Sequence, residues 1–275
     1  MATINRKHIH IIVFFLLAIL VPQTTMAQKR KTKKEEQTSH TDWVPDKVSR
    51  KAMPDRRPSS LEKPILTGNR NNSTTQVHGI DVSHHQGRID WDEVAKDSKV
   101  GYVYLKATEG TGFVDNTYKY NFQACKRVGL KVGSYLFFRP NQSAKGQFDL
   151  FVSTVDTKKQ DLLPFIDVEV VNGVSASVLQ TRLLELCDLF EREYGKKPII
   201  YTGRIFYQKY LYGNPRLRTY KYFIAAYSPS EPPALHDGLE YPMWQYSSTG
   251  RVRGIRGNVD MSRLVGRTTM RDIMY

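Results

Sequence analysis

Short apolar runs recur along the last three quarters of the chain. They cover residues 77–81, 100–105, 131–138, 163–168, 198–201, 222–227, 241–246 and 258–261, and their β-branched and aromatic content reads as strand. Between several of them lie segments with apolar positions at helical spacing: 91–98, 116–128, 143–154, 178–194 and 205–211. The clearest is 178–194, where Val178, Leu179, Leu183, Leu186, Leu189 and Phe190 make one stripe. Strand and helix alternating over eight strands predict a parallel barrel of the α/β class. Only 199 residues, 77–275, are available for it. A full barrel of this kind takes about 250, so the crossovers must be cut back, most of all between the later strands. The expected fold is a compact TIM-like (β/α) barrel with reduced crossover helices over residues 77–270, with 271–275 as a C-terminal tail.

Upstream of the barrel the pattern is different. Arg6 and Lys7 precede an apolar run over residues 11–21, which is followed by Pro22 and the small-residue ending Thr25-Met26-Ala27. That order reads as a secretory signal peptide over residues 1–27, cleaved after Ala27. The run is shorter than the ~20 residues a bilayer span needs, so an uncleaved anchor is the lesser alternative. The expected location is outside the cytoplasm, periplasmic or extracellular. Residues 28–76 are polar, without apolar period, and punctuated by Pro45, Pro54, Pro58 and Pro64. Such a composition cannot bury enough apolar surface to offset the entropy of ordering, which predicts a disordered linker.

Charge refines this picture only a little. The chain carries a formal +14, of which +6 belongs to residues 28–76, with twelve Lys and Arg against six Asp and Glu. Solubility is one reading of that excess, and attraction to an anionic surface such as a cell-wall polymer is the other. Nucleic acid is not an expected partner, because no binding motif accompanies the charge. Cys125 and Cys187 each fall in a helix pattern, where a free thiol serves as a small apolar residue; in an exported chain a disulfide between them is the alternative. No metal or cofactor is expected. His84 and His85 are adjacent and would face opposite ways on an extended segment, without zinc-type spacing.

The chemistry lies in the carboxylates. In Phe165-Ile166-Asp167-Val168-Glu169-Val170 two acids interrupt an apolar run two positions apart. On a strand they point the same way, roughly 7 Å apart. Crowding and desolvation raise the pKa of at least one of them, which equips the pair for glycoside hydrolysis. Asp81 ends the first predicted strand, Glu109 lies just past the second, and Asp260 ends the last. All five acids then meet at the C-terminal mouth, where barrel active sites are built. Tyr135, Tyr201, Tyr227, Trp244 and Tyr246 fall at the same level, and aromatic rings there would stack on the apolar faces of sugars. Each residue also has a plainer reading, as core aromatic or as a turn-capping acid.

Several separated motifs resemble glycoside hydrolase family 25, the Chalaropsis-type lysozymes. They are His78-Gly79-Ile80-Asp81-Val82-Ser83 with Gln86-Gly87 and Ile89-Asp90-Trp91, then Lys106-Ala107-Thr108-Glu109-Gly110 and Phe165 to Glu169. Tyr201-Thr202, Ile224-Ala225-Ala226-Tyr227, Trp244-Gln245-Tyr246-Ser247-Ser248-Thr249-Gly250 and Gly257-Asn258-Val259-Asp260 continue it, in order, across residues 77–270. The resemblance implies an N-acetylmuramidase that cuts β-1,4 bonds between N-acetylmuramic acid and N-acetylglucosamine in peptidoglycan. It implies Glu169 as general acid and Asp167 as the group that orients the substrate's own N-acetyl, with net retention. Asp81 and Asp260, joined by Glu109, His84 and the aromatic residues, would bind the sugar.

In one place the chain departs from the family. Gly133-Ser134-Tyr135-Leu136-Phe137 carries Leu136 where the family commonly has His, which puts one hydrogen bond near the sugar in question. Two other functions fit the same residues: a non-catalytic cell-wall binding module, or a glycosidase acting on another N-acetylated polymer such as chitin. A monomer is expected.

Overall fold

Alternation along the strands sorts the apolar residues into an inner and an outer layer, and the sheet closes around the inner one. The computed structural model describes residues 77–227 and 230–275. The strands are β1 His78–Val82, β2 Val100–Glu109, β3 Phe113–Val114, β4 Lys131–Phe137 and β5 Phe165–Asp167, then β6 Ile199–Gly203, β7 Lys221–Ala225, β8 Met243–Gly250 and β9 Val259–Leu264. Each predicted strand is present, and β3 is an added hairpin arm on the end of β2. Pairing runs β1-β2-β4-β5-β6-β7-β8-β9, and β9 returns to β1, so no edge of the barrel is left open.

The expectation of an all-parallel barrel needs one correction. β9 is antiparallel to both β8 and β1. Only the 251–258 connection separates β8 from β9, with no crossover helix to carry the chain back to the other end. Asp260 therefore stands near the start of its strand, not at its end. The reversal still delivers it to the expected mouth, where it pairs in register with Asp81.

Helices are confined to the first half of the circuit, as the short chain requires. They are α1 Trp91–Val94, α2 Tyr118–Arg127, α3 Ala144–Thr154 and α4 Ala176–Tyr194; beyond β6 come only the single turn α5 Arg204–Phe206 and short irregular turns. α4 is capped by Ser175, whose hydroxyl accepts from the Val178 N–H at 3.3 Å, and it ends at Gly195 in the left-handed region. Its buried face is Leu179, Leu183, Leu186, Cys187, Phe190 and Tyr194, whereas Val178 is exposed. The stripe expected from sequence therefore starts one residue early.

Outward-facing strand residues such as Ile80, Val103, Ile166, Ile200 and Ile224 pack under the helices with Phe151, Leu183 and Phe190. The interior is unusually aromatic. Tyr102, Tyr104, Tyr135, Phe165, Tyr201 and Phe223 fill it with Met243 and Leu163. Tyr135 stacks on Phe165 at 4.6 Å, and Phe165 stacks on Tyr201 at 5.4 Å. Gly79 is needed opposite: a Cβ there would fall 1.9 Å from the Tyr102 ring.

The last residues, set apart from sequence as a tail, close the bottom of this interior. Ile273 is fully buried among the inner residues, and its carbonyl accepts from the Leu163 N–H at 2.8 Å. Truncation to Ile273→Ala is expected to cost about 2–5 kcal/mol, read as a lower midpoint of chemical denaturation. Cys125 and Cys187 are both buried and free, and burial pushes both thiols up. The proposed leader and linker, residues 1–76, lie outside the described residues.

Candidate active site

Every second residue on a barrel strand faces inward, so the upper ends of the strands deliver a ring of polar groups above the aromatic floor. β1 supplies Asp81, β2 Lys106, β5 Asp167, β8 Gln245 and β9 Asp260. β5 ends at Asp167, two residues short of Glu169. The alternation nonetheless continues: Val168 donates its N–H to the Tyr201 carbonyl at 2.9 Å and buries its side chain outward. Glu169 is thereby returned to the side of Asp167, at the exposed rim of the mouth.

The four carboxyl groups burden one another. Asp167 is 6% exposed, its Oδ1 receives no hydrogen bond, and no bond to its other oxygen is formed within the described residues. Burial first, then repulsion from Glu169 and Asp81, pushes it well above the usual carboxylate range, with Lys106 acting in opposition. Asp81 is raised by burial and by Asp260 and Glu169, and held back by the Gln245 amide, which donates to its Oδ2 at 2.9 Å. Glu169 is exposed as a residue, but its carboxyl lies against its neighbours; desolvation and then Asp260 push it up, and Lys106 pulls it down. Burial raises Asp260 to about 6.

These shifts carry a stability consequence. A carboxyl whose pKa rises on folding binds more protons folded than unfolded, so stability falls as pH climbs from its unfolded to its folded value. For Asp260 that window runs from 3.8 to about 6. Asp260→Asn is expected to raise the melting temperature above pH 6, with the gain vanishing below pH 4, while weakening activity. Thermal melts of both proteins across that range check it.

The other expected site residues are placed as follows. Tyr135 and Tyr201 roof the aromatic floor, and the half-exposed Tyr227 overhangs the mouth. Glu109 is engaged by Lys106 at 2.6 Å and by the Arg139 guanidinium. Burial works against it, but those two cations hold its carboxyl below the usual range. Its charge is thus already answered by protein cations. His84 sits at the rim, its Nδ1 2.9 Å from the buried Asp115 carboxylate and its ring against Phe113. Trp244 is not at the mouth: it is 2% exposed in the outer layer, donating to the Ala226 carbonyl at 2.8 Å.

Leu136 also faces the outer layer, fully buried and in register with Ile166. Its side chain lies on the opposite face of β4 from Tyr135, so the departure from the family at this position does not remove a group from the cup. Sequence reasoning did not single out Lys106 and Gln245, two residues of the cup that occur inside longer motifs. Each is a polar residue on the inward phase of an otherwise apolar strand end, which is the signal that could have found them. Among the described residues, no group of three or more His, Cys, Asp or Glu is disposed to hold a metal ion.

A closed barrel bearing crowded carboxyl groups over an aromatic floor at one mouth is the site of a glycoside hydrolase. The chain belongs to family 25 of those enzymes: the family described as "Glycosyl hydrolases family 25" matches residues 80–255. It is 40% identical to the YegX protein of Escherichia coli K12 over 190 residues, covering 68% of each chain. It is 34% identical over 201 residues to the autolytic lysozyme of Clostridium acetobutylicum, covering 71% of this chain and 60% of that one. The bacterial lysozyme of Streptomyces coelicolor superposes with a TM-score of 0.65 at 29% identity, over 72% of this chain and 96% of that one.

Proposed function

We propose that this protein is an N-acetylmuramidase that hydrolyses the β-1,4 bond between N-acetylmuramic acid and N-acetylglucosamine in peptidoglycan. The observation that carries the reading is the pairing of a raised, rim-exposed Glu169 with a buried Asp167 whose Oδ1 has no donor. Family membership and the similarity to bacterial lysozymes support the same substrate.

The arrangement of the carboxyl groups supports the following chemistry. Glu169, whose proton is held more tightly than an ordinary carboxyl's, reaches a glycosidic oxygen at the mouth and protonates it as the bond to the anomeric carbon breaks. Asp167 lies deeper and lacks a donor, so it suits the N–H of a sugar acetamido group. Holding that group aims its carbonyl oxygen at the anomeric carbon and offsets the positive charge that develops as the ring closes. Water then opens the cyclic intermediate from the face the leaving group vacated, with Glu169 as base, and the configuration is retained. Asp81 and Asp260 grip hydroxyls and keep the cup negative. Tyr227 offers its ring to a sugar face.

Digestion of purified insoluble peptidoglycan, followed by mass spectrometry of the new reducing ends, tests this. N-acetylmuramic acid ends are expected. N-acetylglucosamine ends would mean that a different bond is cut, and protein retained on the pellet without release would favour a wall-binding module. The substrate places the working enzyme outside the cytoplasm, and among the described residues no helix is long and apolar enough to cross a membrane. N-terminal sequencing of secreted protein should begin at Gln28.

A further inference from the structure

Gln245 is 1% exposed and makes three hydrogen bonds in the acidic cup. Its Oε1 accepts from the Tyr201 hydroxyl at 2.9 Å and from the Tyr227 hydroxyl at 2.7 Å. With both acceptor positions taken by phenols, the Nε2 end must face the other way, and there it donates to Asp81 Oδ2 at 2.9 Å. One amide therefore ties β6, the turn after β7, β8 and β1 together at the level where the carboxyl groups meet. Asp167 has no comparable donor.

We propose that Gln245 is a positioning residue, whose fixed amide favours the Asp81 carboxylate over its protonated form and so biases the proton of the acid cluster toward Glu169. The inference rests on the hydrolase reading of the site and goes beyond it by assigning where the proton resides.

The surroundings of Asp81 make the donor matter. Asp260 faces it from β9, Asp167 and Glu169 from the end of β5, and Tyr102, Tyr135 and Tyr201 from β2, β4 and β6. The nearby cation, Lys106, is paired with Glu109 and acts on Asp167 and Glu169. Without the amide, the groups facing Asp81 among the described residues are repulsive carboxylates and neutral phenols, and it takes up a proton more readily. A neutral Asp81 no longer repels charge on Glu169, so Glu169 ionises more readily. Both limbs of a pH–rate profile then move inward. The acid limb, which needs Asp81 charged, rises in pH, and the alkaline limb, which needs Glu169 protonated, falls.

The test is a carbon-13 carboxyl titration of the full chain by NMR, with Asp81 assigned by its absence in Asp81→Asn. It compares wild type with Gln245→Met, which keeps the shape and removes the donor. The Asp81 midpoint should rise by about one pH unit or more, a tenfold gain in proton affinity, and the activity profile should narrow from both sides. An unmoved midpoint, or a profile reduced in height alone, overturns the proposal. If Gln245→Met does not fold, wild type decides: Asp81 must ionise before Glu169, assigned by its absence in Glu169→Gln, and the reverse order overturns the proposal. The titration needs no turnover, so a wild-type enzyme inactive on peptidoglycan would refute the proposed function without deciding this one.

Discussion

Glu169→Gln should lower kcat on peptidoglycan by about 10²–10⁴-fold, the usual worth of a positioned general acid. The amide keeps the size and polarity of the side chain but has no proton to give to the departing oxygen. Glu169 acts in its protonated form, and desolvation with repulsion from Asp260 raises its pKa. Wild-type activity therefore extends upward in pH until that proton is lost, whereas the variant stays low at every pH. An aryl glycoside with an acidic phenol needs little help in leaving, so on such a substrate bond breaking should recover and the water step, which lacks its base, should become limiting. A variant that turns over peptidoglycan at near the wild-type rate would sink the assignment.

Asp167→Asn should be almost as damaging, with about 10²–10³-fold lost from kcat, for a different reason. Asp167 is buried with an unpartnered oxygen, an arrangement that costs folding free energy unless a ligand supplies the missing donor. Asparagine presents an N–H where an acceptor is required and carries no charge to balance the cyclic intermediate. The loss should persist on the aryl glycoside, because the attack of the acetamido oxygen, and not protonation of the leaving group, is what the variant impairs in that step. The variant should also be more stable than wild type at neutral pH. Burial raises the folded pKa of Asp167, so its charged form weakens the fold as pH rises through that value. A rate loss that an acidic leaving group repairs equally in both variants would mean that the two carboxyls share one role.

Much of the site is legible in the sequence because its logic is local. Two acids at i and i+2 share a face of an extended chain whether or not the strand formally continues, and Val168 keeps that phase by bonding to Tyr201. Asp81 and Asp260 can be set side by side because a barrel must close its last strand on its first. The neighbour is as expected but the direction is not: residues 258–261 read alike as a parallel or an antiparallel strand, and the short 251–258 connection decides between them.

The set of strands, the shortage of helices after β6 and the acids of the mouth can be read along the chain alone. Each depends on periodicity or order along the chain. Tertiary structure decided which neighbours answer each charge. Glu109 sits in a ring of acids in the sequence, yet Lys106 and Arg139 claim it. Trp244, expected against the sugar, and Leu136, at the position where the family commonly has His, both pack in the wall's outer layer. Gln245, unremarkable between Trp244 and Tyr246, holds three strands and a turn together at the centre. Inward and outward differ by a single residue of phase, and a hydrogen bond from β8 to β1 spans 164 positions. Strand periodicity records neither the absolute phase nor the partner, because both are set only when the sheet curves and closes.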